Sequence, residues 1–86
     1  MRVSVVTPVY NDPRVGRALA SVRMQTFDGD LEHIVIDGGS SGKTVHVLEE
    51  CRDDIDVLIS EPDEGVYDAM NKGIDVASGD IVAILN

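Results

Sequence analysis

The chain has 86 residues, of which 43% are hydrophobic and 27% charged, and its formal net charge is −9. That length holds one small domain or part of one, and the balance of apolar and charged residues excludes a disordered chain. The acidity argues against a general nucleic-acid binder, which neutralises phosphate with basic patches.

The opening MRVSVVTPVYN carries one Arg and a short apolar run, broken by Pro8 and Asn11 with no small-residue cleavage site, so a signal peptide is disfavoured. Residues 3–6, Val-Ser-Val-Val, are rich in β-branched side chains and read as a buried strand that Thr7 and Pro8 end. Asp12 stands as an N-cap with Pro13 at the first helical position. Val15, Ala18, Leu19 and Val22 then follow at i, i+3, i+4, i+7 as one apolar helix face. Asp28, Gly29 and Asp30 read as a turn, and residues 31–36 as a second strand ending at Asp37.

Residues 38–42, Gly-Gly-Ser-Ser-Gly, form a loop that opens a helix over 43–52, with Val47, Leu48 and Cys51 inward. Cys51 is the single cysteine and is expected as a small core residue, which fits a reducing, cytoplasmic setting. A third strand covers 57–59 and a loop 61–65. The next helix carries Met70, Gly73, Ile74 and Ala77 at helical spacing and ends in a C-cap at Ser78 and Gly79. Residues 81–85 are a fourth, strongly apolar strand. No run approaches the ~18 residues of a membrane span.

The order is βαβαβαβ, which predicts an α/β fold: a parallel, Rossmann-like sheet with helices on its faces and right-handed crossovers. Ligands of such sheets bind beyond the carboxyl ends of the strands. That rule selects residues 7–11, 37–42, 61–65 and Asn86, where the polar residues crowd.

Each cluster has a functional and a structural reading. GGSSGKT looks like a phosphate-binding loop, G-x-x-x-x-G-K-S/T, but the first Gly should fall where Asp37 stands, and a carboxylate would repel phosphate. A helix-capping Gly/Ser turn is the better reading. Tyr10 could stack on a nucleobase or cover a core edge. Asp37 offers acceptors to a base N–H or a ribose hydroxyl, and could equally cap the loop after it. The stretch 61–73 places Asp68 and Asn71 near a helix start, with Lys72 able to meet a phosphate; the alternative is a solvated acidic loop with a capping residue. His33 and His46 have no partner spacing and read as structural or surface residues.

Four pieces, VSVVTPVYN, HIVIDGGSSGKT, ISEPDEGVYDAMNKGI and ASGDIVAILN, together resemble the inverting glycosyltransferase family 2, which has a GT-A fold. The resemblance covers nearly the whole chain and implies strand order 3-2-1-4. It implies a donor that is a nucleotide diphosphate sugar of uridine or thymidine type. It assigns Thr7, Pro8, Tyr10 and Asn11 to the base and ribose, Asp37 to the base edge, and Ser40 to the same loop. It places Gly65, Asp68 and Lys72 beside the nucleotide, with Asn71 in support. The loop departs from the family, reading Ser41-Gly42-Lys43-Thr44 where an Asp-Gly pair usually precedes the Thr.

The family's D-x-D-like metal motif begins about where Asn86 stands. The resemblance therefore implies the N-terminal, nucleotide-binding half, with no catalytic and no metal-holding residue of its own. A divalent cation, Mg or Mn, belongs to the complete enzyme, which is expected in the cytoplasm or peripheral to a membrane. The strand over 81–85 would be an apolar edge that drives self-association. Two other classes stay open: a non-catalytic α/β nucleotide-binding or interaction module, and a P-loop NTPase.

Overall fold

The computed structural model describes residues 1–24 and 30–85. Four parallel strands, β1 (Arg2–Val9), β2 (Asp30–Asp37), β3 (Val57–Ser60) and β4 (Ile81–Ile84), form one sheet in the order β3-β2-β1-β4. Three helices connect them: α1 (Val15–Arg23), α2 (Lys43–Glu50) and α3 (Val66–Val76). The expected α/β class and strand order are both observed.

The two central strands are buried on both faces because helices cover both. On one face Val9 and Val35 pack against Val15 and Leu19 of α1 and Leu48 of α2, with Ile55. Cys51 is half-buried against this cluster, as its place in the sequence implied. On the other face Val6, Ile34 and Ile36 pack against Ala69 of α3.

Several boundaries differ from the sequence reading, each for a local reason. Pro8 does not end β1; it pairs with Ile36 inside the strand. Among the described residues, the ladder to β4 stops where the Val6 carbonyl accepts from the Leu85 N–H. Pro8 lies two residues on and faces the same way, so its missing N–H removes no described bond. The α-helix starts at Val15 rather than directly after Asp12. The Asp12 carboxylate does accept from the Arg14 N–H at 3.0 Å, but the bonds that follow are of the tighter i→i+3 kind. Asp30 opens β2 instead of closing a turn, and positions 28 and 29 lie outside the described residues. The second helix stops at Glu50, and a 3-10 turn, Arg52–Asp54, follows it. Strand β3 runs one residue further than expected, to Ser60.

The largest corrections concern α3. Its buried stripe is Ala69 and Gly73, continued by half-buried Ala77, while Ile74 is 50% exposed. The helix lies so close to β1 that only a residue without a side chain fits at 73: a Cβ there would overlap the Val6 Cγ1. Gly79 is no helix cap either. The Gly79 N–H donates to the Ser4 hydroxyl at 2.9 Å, and a Cβ would sit 2.7 Å from the Ser4 nitrogen.

The turn into β4 is fastened by one buried carboxylate. Glu32 accepts from the Ser4 hydroxyl at 2.7 Å and from the Ser78 N–H and hydroxyl, both at 3.0 Å, with the Arg2 guanidinium 3.3 Å away. Burial alone would raise its pKa; those four donors hold it down to about 2. Among the described residues, strand β4 pairs only with β1, and all four of its residues are exposed.

Candidate functional site

The carboxyl ends of the strands carry the polar loops, as the topology required. An open cleft of ≈ 720 Å³ lies at the end of β1, lined by Thr7, Pro8, Val9 and Tyr10. Helix α1 forms one wall through Arg14, Arg17, Ala18 and Ser21, and Asp63, Gly65, Val66 and Ala69 form the other. Tyr10 is 65% exposed, so its ring has a free face at the cleft.

Asn11 turns the chain with φ of 45°, the left-handed region that Asn tolerates better than most residues. This turn ties two loops together. The Asn11 N–H donates to the Ser40 hydroxyl at 2.7 Å, and the Asn11 side-chain oxygen accepts from the Ser41 N–H at 3.0 Å. Asp37 joins the same network. One of its oxygens accepts from the Ser40 N–H at 3.1 Å and the other from the Ser60 hydroxyl at 2.7 Å. It is 1% exposed and lines a second hollow of ≈ 340 Å³, with Leu48, Arg52 and Ser60, rather than the cleft holding Tyr10. The capping reading of Asp37 therefore describes its contacts in this structure. The same bonds occupy the loop N–H groups of Ser40 and Ser41, which a phosphate-binding loop would leave for its ligand.

The third loop, 61–65, packs on the second. A Cβ at Gly38 would lie 2.8 Å from the Asp63 carboxylate, which would have to swing aside to admit a side chain there. Gly65 caps α3 at φ of 115°, a conformation that disfavours any side chain. Asp68 reaches back to accept from the Glu64 N–H at 2.9 Å, supporting the helix start where a carboxylate is favourable. Lys72 meets Glu61 at 3.1 Å and donates to the Pro62 carbonyl at 3.3 Å, so its ammonium folds onto this loop. Glu61 foremost holds the Lys72 pKa above its ordinary value. Asn71 is exposed on α3 between the buried positions Ala69 and Gly73.

Of the ten residues singled out by sequence, Thr7, Pro8, Tyr10 and Gly65 line the cleft. Asn11, Ser40 and Asp37 form the network behind it, and Asp68 and Lys72 brace the third loop. The Thr7 hydroxyl is turned inward, 2.7 Å from His33 Nε2. Burial pushes the His33 imidazole below its ordinary pKa against the pull of Asp56, so the ring is a neutral packing residue. The sequence does not single out Arg14, Arg17 or Ser21 and places Ala18 on the buried face of α1; in the structure all four, at i, i+3, i+4, i+7 spacing, line the cleft, and the buried stripe is Val15, Leu19 and Val22.

Among the described residues, no group of three or more His, Cys, Asp and Glu comes together as a metal would need. No helix among them is long and apolar enough to cross a membrane.

Comparison with known proteins gives the geometry its context. Residues 4–86 match the family described as Glycosyl transferase family 2. An uncharacterised glycosyltransferase of Mycobacterium tuberculosis is 48% identical over 85 residues, 98% of this chain and 32% of the relative. Glycosyltransferase AglE of Haloferax volcanii is 35% identical over 89 residues, 98% of this chain and 29% of AglE. The chain thus spans about a third of the length of these relatives. Among solved structures, S. aureus TarS 1-349 in complex with UDP-GlcNAc superposes with a TM-score of 0.82 at 26% identity, over 99% of this chain and 26% of that one. The mannosyltransferase PcManGT from Pyrobaculum calidifontis, in complex with GDP-Man and Mn2+, gives a TM-score of 0.79 at 27% identity, over 94% of this chain and 26% of that one. With the family matched over nearly its whole length and the GT-A sheet order in place, the chain belongs to glycosyl transferase family 2.

Proposed function

We propose that the protein carrying this chain is an inverting glycosyltransferase, and that residues 1–86 are its nucleotide-binding, N-terminal portion. The reaction moves a sugar from a nucleotide diphosphate sugar to an acceptor hydroxyl. The observation that carries this reading is the cleft at the end of β1, where Tyr10 offers a free ring and Thr7, Pro8 and Gly65 line the approach. The nucleobase stacks on Tyr10. Asp37 reads the base edge of a uridine or thymidine nucleotide, for which its buried carboxylate, lining the second hollow, has to open onto the cleft. Both its oxygens already accept, so the base N–H takes a second lone pair on one of them. Asn11 and Ser40 fix the distance between the two loops that hold the base. Asp68, Lys72 and Asn71 act from α3, the first two by shaping the loop 61–65 beside the nucleotide.

The described residues do not fit a divalent cation: Asp12 and Asp63 line the cleft singly, Asp12 already held by Arg14. In this reading the cation, Mg or Mn, and the carboxylate that deprotonates the acceptor belong to other parts of the protein. The chain by itself then binds nucleotide weakly and turns nothing over. The complete protein works in the cytoplasm, peripheral to a membrane where its acceptor requires it.

The test is a titration of the chain with uridine, adenosine and guanosine diphosphates, with and without Mn²⁺, followed by NMR. The expected result is preference for the uridine nucleotide, with shifts at Tyr10, Asp37 and Gly65. Tyr10→Ala should weaken uridine diphosphate roughly tenfold, the usual worth of a base on an aromatic ring, with folding unchanged. Tight binding of an adenosine or guanosine nucleotide through residues 38–44 would replace this reading with the phosphate-loop one.

We also propose that the chain self-associates through β4. Ile81, Val82 and Ile84 are each at least 39% exposed on an edge with no charge or proline to blunt it. Val82→Lys should shift a concentration-dependent dimer to monomer in sedimentation velocity. A wild-type chain that stays monomeric at millimolar concentration would refute the proposal.

A further inference from the structure

We propose that Arg17 is the residue that takes the diphosphate of the donor nucleotide in the cleft. The inference rests on the nucleotide reading above and adds a named contact to it. A diphosphate entering this cleft meets the carboxylates of Asp12 and Asp63, in a chain of net charge −9. Within this chain, only a basic side chain facing the cleft can offset them.

The chain has seven Lys and Arg residues, and their positions leave one for the task. Arg2 pairs with Asp30 and Glu32 at the amino end of the strands, and Arg23 pairs with Asp54 at 3.3 Å. Lys72 is engaged with Glu61 and the Pro62 carbonyl. Arg52 donates to the Ile55 carbonyl and lines the smaller hollow, and Lys43 starts α2 away from the cleft lining. Only Arg14 and Arg17 line the cleft as cations among the described residues. Arg14 is gripped by Asp12, with contacts of 2.9 and 2.8 Å to its two oxygens. Arg17 has no ion pair among the described residues.

Helix geometry keeps Arg17 on the ligand side. Val15, Leu19 and Val22 form the buried stripe of α1, while Arg14, Arg17, Ala18 and Ser21 form the stripe facing the cleft. Ala18 and Ser21 are small, and the one other long side chain on that stripe, Arg14, is turned to Asp12. Its planar fork suits two phosphate oxygens at once.

The experiment compares uridine, uridine diphosphate and inorganic pyrophosphate by NMR titration in metal-free buffer. The proteins are wild type, Arg17→Ala, Arg17→Lys and the control Arg23→Ala. On wild type, uridine diphosphate should bind about tenfold tighter than uridine, as a charge-assisted contact provides. Arg17→Ala should bring the two within about threefold, leaving uridine unchanged. Arg17→Lys should recover part of the difference, and Arg23→Ala should lose none of it. An Arg17→Ala chain that keeps the full diphosphate advantage overturns the inference. So does a wild type that binds uridine with no such advantage, and the nucleotide reading then stands. A wild type that ignores uridine but binds pyrophosphate in an Arg17-dependent way keeps the anion site and sinks the nucleotide reading instead.

Discussion

Gly73→Ala lowers the unfolding temperature by roughly 8–16 °C, the shift for a loss of about 2 kcal/mol in a domain of this size. The direction is opposite to what helix propensity predicts. Alanine inside a helix is favoured over glycine by about 1 kcal/mol. At Gly73 that gain meets a wall. An added Cβ overlaps the Val6 Cγ1 and lies 3.0 Å from Cγ2 and 3.2 Å from the Val6 Cβ. Val6 is completely buried in a central strand and is branched at Cβ, so its rotamer cannot yield cheaply. Overpacking of such a seam costs about 1–3 kcal/mol, and the upper end applies where three atoms of one stiff side chain are met. Gly73→Val adds further atoms without the propensity gain. It should remove most of a total stability of about 4–13 kcal/mol for a chain this long. The diagnostic is the double variant with Val6→Ala, which deletes Cγ1 and Cγ2. It should be more stable than the sum of the single losses by at least about 1 kcal/mol, measured by urea unfolding. Additive losses, or a stabilised Gly73→Ala, would mean that α3 can lift from β1.

The same seam shows where sequence reading works and where it stops. Alternation of β-branched runs with amphipathic stretches located every strand and α-helix, because buried parallel strands and half-buried helices leave those two patterns directly in the chain. The choice of face within α3 was not legible. Met70, Gly73, Ile74 and Ala77 satisfy helical spacing as well as Ala69, Gly73 and Ala77 do. What separates them is how near the helix lies to the sheet, and only a small-residue seam permits the observed distance. Gly79 is a similar case: a glycine after a helix suggests a cap, yet its cause is the backbone of Ser4, 75 positions away in the chain.

At the site, the strand ends were foreseeable from topology alone. The partners of the polar side chains were not. A phosphate contact was one reading of Lys72, because a lysine beside a strand-end loop can meet an anion. In the structure its first partner is Glu61, eleven places earlier, on the loop it braces. Asp37 was open between base contact and loop cap, and its bonds to Ser40 and Ser60 show that its carboxylate does hold the loop. Arg17 was passed over because charged residues on the outer side of an amphipathic helix read as solvated, until a cleft is found beside them.

Glu32 was overlooked altogether, sitting in a strand that reads as an apolar run, and it sets the second large expectation. Its unperturbed pKa of 4.5 falls to about 2 in the folded chain. The unfolded chain therefore binds the proton more readily, and the ionised network favours folding. The contribution is fully present above pH 4.5 and is lost as the pH falls toward 2, with a size of about 3 kcal/mol. Other carboxylates also shape the acid limb, so the informative quantity is a difference between proteins. Glu32→Gln removes the charge and turns an NH2 toward donors from Ser4, Ser78 and Arg2. It should be about 2–3 kcal/mol less stable than wild type at pH 7. That gap should close as pH approaches 2, because protonated Glu32 and Gln are nearly the same shape and both are neutral. Urea unfolding at several pH values between 7 and 2 reads this directly, and a gap that stays constant across that window would exclude the charged network as its source. The consequence reaches the cleft. Ser78 and Gly79 lead into β4, whose only ladder among the described residues is to β1, and Leu85 just beyond it lines the cleft. Protonating Glu32 should therefore loosen β4 before the β1–β2 centre. Amide protection, corrected for the intrinsic pH dependence of exchange, should fall at Ala83 and Leu85, whose N–H groups face β1, at a higher pH than at Ile34.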